Sequence, residues 1–218
     1  MREWIIEGKK LKHCAKDCGL HPQYVQQLIH TYLKTFQVPH QHRILDPSKP
    51  LILDATWIVW RRLVVLIAHD GTHVVDWMFA TTENCLVWSM FLARLEGMPS
   101  GIVSDAQKGL LQATHMRFGG IPHQRCIAHI TRQCRIWLTR RPKTEAGAQL
   151  LPLVNLLYKI KAGEDKEAWD TLFDAWLSTH EQFLKERTRG TGKQWWHTHR
   201  KLRGVRSLLV RARANMFT

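Results

Sequence analysis

Acidic residues are the scarce charge in this chain. Asp and Glu number 18 against 32 Lys and Arg, a formal charge of +14 over 218 residues. An excess that large is more than solubility asks for and points to a polyanionic partner. Long apolar runs are also missing. None reaches the roughly 20 residues of a membrane-spanning helix, so nucleic acid is the expected polyanion and no membrane role is expected. The N-terminus, Met1-Arg2-Glu3-Trp4-Ile5-Ile6-Glu7, has no apolar stretch of the kind a secretory signal carries. The expected location is the cytoplasm. Cysteine is sparse, odd in number and irregularly spaced (Cys14, Cys18, Cys85, Cys126 and Cys134), which argues against a disulfide framework. Internal repeats are absent. What remains is 44% hydrophobic, with 13 His and 10 Trp. That suffices for a real core and argues against global disorder.

The first unit spans residues 1–36. Gly8 to Leu20 reads as a short helix ending in a tight turn at Gly19, and His21-Pro22 opens a second helix with Pro near its first turn. Val25, Leu28, Ile29, Tyr32 and Leu33 recur at helical spacing. A small residue in helix one, Ala15, and a Gly four residues later fit a helix-turn-helix, with Cys14, Cys18, Leu20, Val25 and Leu28 at its core positions. In that motif the second helix enters the major groove. The expected readers are His21, Gln23, Tyr24, Gln26 and Gln27; Gln suits adenine edges. Cys14 and Cys18 lack the paired Cys-x-x-Cys knuckle of a zinc site.

Residues 37–50 contain Pro39, Pro47 and Pro50 with little apolar periodicity and read as a linker. Strand patterns follow at 51–58, 62–69 and 72–80, with Asp70-Gly71 as a hairpin turn. A helix capped by Thr81 or Thr82 is expected to run to about Glu96. Then come a strand at 102–105, a helix at 108–118 and a short strand at 121–126. Helical sequence follows to the end, with breaks at Arg141-Pro142, Gly163 and Arg189 to Gly192. The expected fold class is therefore α/β: a ribonuclease H-like mixed sheet, a helix-turn-helix before it and an all-α insertion after it. Residues 51–135 would be the first part of the core, and 136–218 the basic insertion. In such a fold the first and fourth strands lie side by side.

Two carboxylates end apolar runs on those strands: Leu51-Ile52-Leu53-Asp54 and Gly101-Ile102-Val103-Ser104-Asp105. Carboxyl ends of central strands face the crevice where open α/β sheets bind ligands. Two carboxylates there can share a hard divalent cation such as Mg²⁺ or Mn²⁺, which can serve phosphodiester chemistry. The bland alternatives are a strand terminator for Asp54 and a helix cap for Asp105.

Four features together resemble bacterial insertion-sequence transposases of the Mutator-like DDE group. They are Leu51 to Thr56, Val103 to Ala113, Gln124-Arg125-Cys126-Ile127-Ala128-His129 with its Cys-x-x-His spacing, and the upstream helix pair. The resemblance covers residues 8–135. It implies DNA cleavage and strand transfer at transposon ends, with Asp54 and Asp105 as the first two metal-binding acids. Terminal repeats and target DNA would be the partners, and a homo-oligomer on DNA is the usual working form. Cys126 and His129 would support the active site structurally or position DNA. The resemblance also implies a third acid, a Glu placed after a helical insertion. Residues 130–218 look like that insertion, so the expectation is a chain truncated before its third ligand. Glu145, Glu164, Glu167, Glu181 and Glu186 are the internal candidates; Glu145 sits in loop-like sequence, and the others are expected to face solvent.

Lys185 to Arg213 is dense in Lys and Arg and reads as a phosphate-contacting surface. Trp195 and Trp196 within it suit base stacking or helix packing, whereas Trp137, Trp169, Phe173 and Trp176 recur as core. The competing functional expectation is a catalytically inactive DNA-binding remnant or competitor of a full-length transposase. A third is a ribonuclease H-like nuclease acting on another nucleic acid.

Overall fold

The computed structural model describes residues 10–35, 44–161 and 163–217. The chain divides into two compact units, 1–40 and 41–218.

The first unit holds α1 (Leu11–Asp17) and α2 (Pro22–Thr35). α1 ends because Gly19 takes φ +65°, which lets Leu20 N–H donate to Ala15 O (2.9 Å) and Gly19 N–H to Lys16 O (3.1 Å). That is the paired closure in which a left-handed residue satisfies the last carbonyls of a helix. Ala15 and Ile29 are buried at the seam. The expected helix-turn-helix core is only partly realised: Cys14 and Val25 are half-buried, but Cys18, Leu20 and Leu28 are exposed. A two-helix seam is narrow, and Leu28, one residue before Ile29, points about 100° away from it. Gly8, Lys9 and the first half of the expected linker, residues 37–43, lie outside the described residues, as does the side chain of Leu33.

The second unit contains a five-stranded sheet of order β3-β2-β1-β4-β5. The strands are β1 (Pro50–Val59), β2 (Leu63–His69), β3 (Val74–Ala80), β4 (Gly101–Ser104) and β5 (His123–Arg125). β1 pairs antiparallel with β2 and parallel with β4; β2–β3 is antiparallel and β4–β5 parallel. β2 shows why a sheet forms here: Val64, Leu66 and Ala68 are buried and their neighbours are not, the two-residue period of a half-covered strand. α3 (Cys85–Leu92) and α4 (Lys108–Phe118) pack Trp88, Phe91, Leu92, Leu110 and Phe118 into that core. Leu45 joins it too, and its N–H donates to Glu96 O at 2.8 Å. The expected linker thus ends in packed structure, because a buried leucine there covers the edge of the core.

α3 begins later than expected. Its cap is Asn84, whose side chain accepts from Val87 N–H at 3.0 Å. Residues 81–84 carry the chain from β3 to the helix, which leaves Glu83 in the turn. The start of α4 lies against this turn at backbone distance. A Cβ on Gly109 would stand 2.7 Å from Cys85 N and 2.9 Å from the carbonyl carbon of Asn84. Neither is the tip of a flexible side chain, so Gly109→Ala is expected to cost about 1–3 kcal/mol through overpacking. Urea denaturation checks this, and an unchanged midpoint would show that α3 and α4 part freely.

Beyond β5 the chain builds a second core from α5 (Ile127–Leu138), α6 (Glu145–Leu156), α7 (Gly163–Thr179), α8 (Glu181–Lys185) and α9 (Arg200–Ala212). Ile130, Cys134, Leu150, Trp169, Phe173, Val205 and Leu209 are buried together. The segment is not all-helical as expected. β6 (Arg187–Arg189) and β7 (Trp195–His197) form a hairpin. The break at Arg189 to Gly192 is its turn, with Gly192 at φ +73° and the Trp196 ring filling the space where a Gly190 Cβ would be. No described helix is long and apolar enough to cross a membrane.

Candidate active site

The parallel ladder between β1 and β4 pairs Leu51 with Ile102 and Ile52 with Val103. Two residues further along both chains stand Asp54 and Asp105. Parallel neighbours lie about 4.8 Å apart, so the register brings the two acids to adjacent positions at the carboxyl end of β4. Alternation places them on the face opposite the buried Leu51, Leu53 and Ile102. Asp54 continues within β1, and its Oδ1 accepts from Ala55 N–H at 2.9 Å. Asp105 lies just past β4, and its Oδ1 accepts from Gln107 N–H at 2.9 Å. Between them, Ala106 holds φ +63°. A non-glycine residue in that region is strained, and such strain collects where the surroundings fix a functional geometry. Gln107 ties the turn down: it caps α4 by accepting from Leu110 N–H (2.7 Å) and donates to Glu83 O (3.1 Å).

Cys126 N–H donates to Ser104 O at 2.6 Å, which binds the start of α5 to the end of β4. One turn into that helix, His129 Nε2 lies 3.8 Å from Asp54 Oδ1, with both side chains about two-fifths exposed. His129 Nδ1 is buried without a hydrogen-bond partner. The Cys-x-x-His spacing therefore works through one helical turn: Cys126 fixes the helix start and His129 reaches the acid. Cys126 is a free, half-buried thiol.

A third carboxylate, Glu83, lies within electrostatic reach of the pair and was not legible in the sequence. Glu83 titrates above its ordinary value, first because it is part-buried, then because Asp105 and, more weakly, Asp54 repel its ionised form. The indole N–H groups of Trp88 and Trp57 favour the ionised form; that of Trp88 is buried and falls short of full hydrogen-bond geometry with any acceptor. A raised folded pKa means stability is fully present below the unfolded value and is lost as pH rises through the folded one. Glu83→Gln removes that loss. The variant is expected to melt higher than the parent chain above about pH 5 and to lose the advantage below it. Thermal melts across pH check this, and equal melting at every pH would contradict it.

The five other candidate glutamates, Glu145, Glu164, Glu167, Glu181 and Glu186, are all exposed on the helical part. Among the described residues no three His, Cys, Asp or Glu side chains lie close enough to hold one ion together. In the first unit His21, just before α2, and Gln23, Tyr24, Gln26 and Gln27 on it are all exposed, free to meet a ligand. Trp195 and Trp196 are 50% and 44% exposed rather than packed as core, and the Arg187 guanidinium lies 4.0 Å over the Trp195 ring. Asp76 is buried and paired with Arg94 Nε at 3.0 Å.

The profile of the family described as "Transposase, Mutator family" matches residues 42–192, a stretch that includes Asp54, Asp105, Cys126 and His129. No curated protein matches the chain.

Proposed function

The chain belongs to the Mutator family of transposases, and from that premise we propose that Asp54 and Asp105 hold a divalent cation for phosphodiester cleavage and strand transfer on DNA. The observation that carries this reading is the β1–β4 register, which brings two strand-end carboxylates to adjacent positions. The strand order, with β2 and β3 antiparallel beside a parallel β1-β4-β5 group, supports a ribonuclease H-like core. Mg²⁺ is commonly bound by one or two carboxylates together with waters and substrate phosphates, so the two Asp oxygens suit Mg²⁺ or Mn²⁺ without a three-residue cage. When bound, such an ion would lower the pKa of a water or 3′-hydroxyl and offset charge on the leaving oxygen.

The chain's own groups do the positioning. The Ala106 turn and Gln107 hold Asp105, and the anchored start of α5 holds His129 at Asp54, where its imidazole can meet a phosphate oxygen or orient the carboxylate. The exposed row on α2 reads the ends of the element as the second helix of a helix-turn-helix. Terminal repeats and target DNA are the proposed partners, with more than one copy on DNA and the cytoplasm as the setting. Mg²⁺-dependent nicking of a supercoiled plasmid, lost with chelator, tests the reading. The alternative reading is a non-catalytic DNA-binding competitor. DNA binding with no nicking in Mg²⁺ or Mn²⁺ would select it.

A further inference from the structure

A basic cleft of about 430 Å³ opens past the carboxyl end of β4, lined by Ala106, Leu111, His123, Arg125, Arg211 and Asn215. Ala106 is the residue after Asp105, and the Asp105 charge reaches Arg125; the β4–β5 register puts the His123 and Arg125 side chains on the face of Ile102 and Ser104. Arg125 comes from β5 and Arg211 from α9, elements far apart in sequence, and the turn after α9 rests on β5. Arg125 Nε is shut away from solvent with no hydrogen-bond partner, and no carboxylate among the described residues forms an ion pair with Arg125 or Arg211. Arg211 uses its Nε on Ser207 O, within its own helix, at 3.1 Å. Burial and the nearby Arg211 charge both act against Arg125, and only Asp105 favours it. A half-buried guanidinium facing a second one with no anion between them is costly. An anion seated there would offset both charges.

The rest of the cleft is built for the same ligand. His123 Nε2 bonds Ser104 Oγ at 2.8 Å, and Ser104 Oγ also accepts from Ala106 N–H at 3.2 Å. With Nε2 engaged by the buried serine, Nδ1 is the ring atom left for a ligand. Planar guanidiniums suit phosphate oxygens because they donate in pairs. The cleft also answers a problem that the acid pair creates. Two or three carboxylates repel a DNA backbone, and a positive seat one residue away can hold the strand against that repulsion.

We propose that Arg125, Arg211 and His123 form a pocket that seats one phosphodiester of the DNA strand beside Asp105. The proposal rests on the reading that the acid pair acts on DNA.

The test uses the full chain and a short random-sequence duplex. The first readout is the slope of log affinity against log salt, to which each neutralised phosphate contributes about 0.9. The double variant Arg125→Gln/Arg211→Gln is expected to lose about one unit of slope. Should Arg125→Gln impair folding, Arg211→Gln alone serves, since Arg211 is exposed; it should lose part of that unit. The second readout is modification of arginines by phenylglyoxal, mapped by mass spectrometry. Duplex should slow modification of Arg125 and Arg211 severalfold. An unchanged slope, or unslowed modification with duplex bound, overturns the pocket. Protection by inorganic phosphate but not by duplex overturns its assignment to DNA. Neither readout requires catalysis. A chain that shows both effects but never nicks keeps the pocket and loses the catalytic reading, and nicking with neither effect does the reverse.

Discussion

Asp54→Asn and Asp105→Asn are each expected to lower Mg²⁺-dependent nicking of supercoiled plasmid by more than about 100-fold, since changing even the partners of metal ligands costs 10–100-fold. Asparagine keeps the shape of the side chain and one oxygen but loses the charge that a hard cation needs. Neither substitution disturbs the core, because both acids are partly exposed and lie on the face opposite Leu51, Leu53 and Ile102. Duplex affinity should hold or rise slightly: the proposed DNA contacts are basic or on α2, and removing a carboxylate removes repulsion. Agarose-gel nicking assays and mobility shifts on the same preparations separate the two effects. Undiminished nicking by either variant would end the assignment.

Phe173→Ala is expected to cost about 3–5 kcal/mol, the range for truncating a fully buried aromatic ring. Phe173 has no exposed surface and lies between two indoles, with centroids 5.0 Å from Trp169 and 6.1 Å from Trp176 and nearly parallel planes. Those indoles cannot slide in to fill a void. Trp169 Nε1 donates to Leu153 O at 2.8 Å, and Trp176 Nε1 to Ala146 O at 2.9 Å. Collapse would break buried hydrogen bonds, so the cavity should persist and the cost should fall in the upper half of the range. The damage should also reach the site. Arg213, just past α9, grips Asp174 with both Nη atoms (2.6 and 2.7 Å) and Asp170 with Nε (2.7 Å), so loosening α7 loosens the helix that carries Arg211. Urea denaturation followed by tryptophan fluorescence checks the stability, and a loss under about 1 kcal/mol would mean that the rings repack.

The acid pair was legible because each Asp follows a short run of β-branched and aliphatic residues. Such runs say "buried strand" without help from the rest of the chain, and the order of elements then brings strands one and four together. The Cys-x-x-His element was legible for a similar reason, since three residues span one helical turn. The family these motifs resembled is the one whose profile matches residues 42–192.

Other features depend on tertiary geometry that no local pattern records. Glu83 follows Thr81-Thr82 and reads as a helix's first-turn acid. Only the later cap at Asn84 and the contact at Gly109 bring it near Asp54 and Asp105. Arg125 was read only as part of the Cys-x-x-His element; its partner in the cleft, Arg211, lies 86 positions away in the sequence. The β6–β7 hairpin was missed because three-residue strands are too short to show alternation. In the first unit the helical periodicity was sound, but the exposure of Cys18, Leu20 and Leu28 shows that periodicity names a face without saying how much of it is covered.

The most direct test of the central claim is a Mn²⁺ titration of the full chain by electron paramagnetic resonance, in which bound ion is lost from the free-ion signal. If Asp54 and Asp105 hold the cation together, the parent chain should bind Mn²⁺, and Asp54→Asn and Asp105→Asn should each remove the same binding event. Equal Mn²⁺ uptake by the parent chain and both variants would contradict the account.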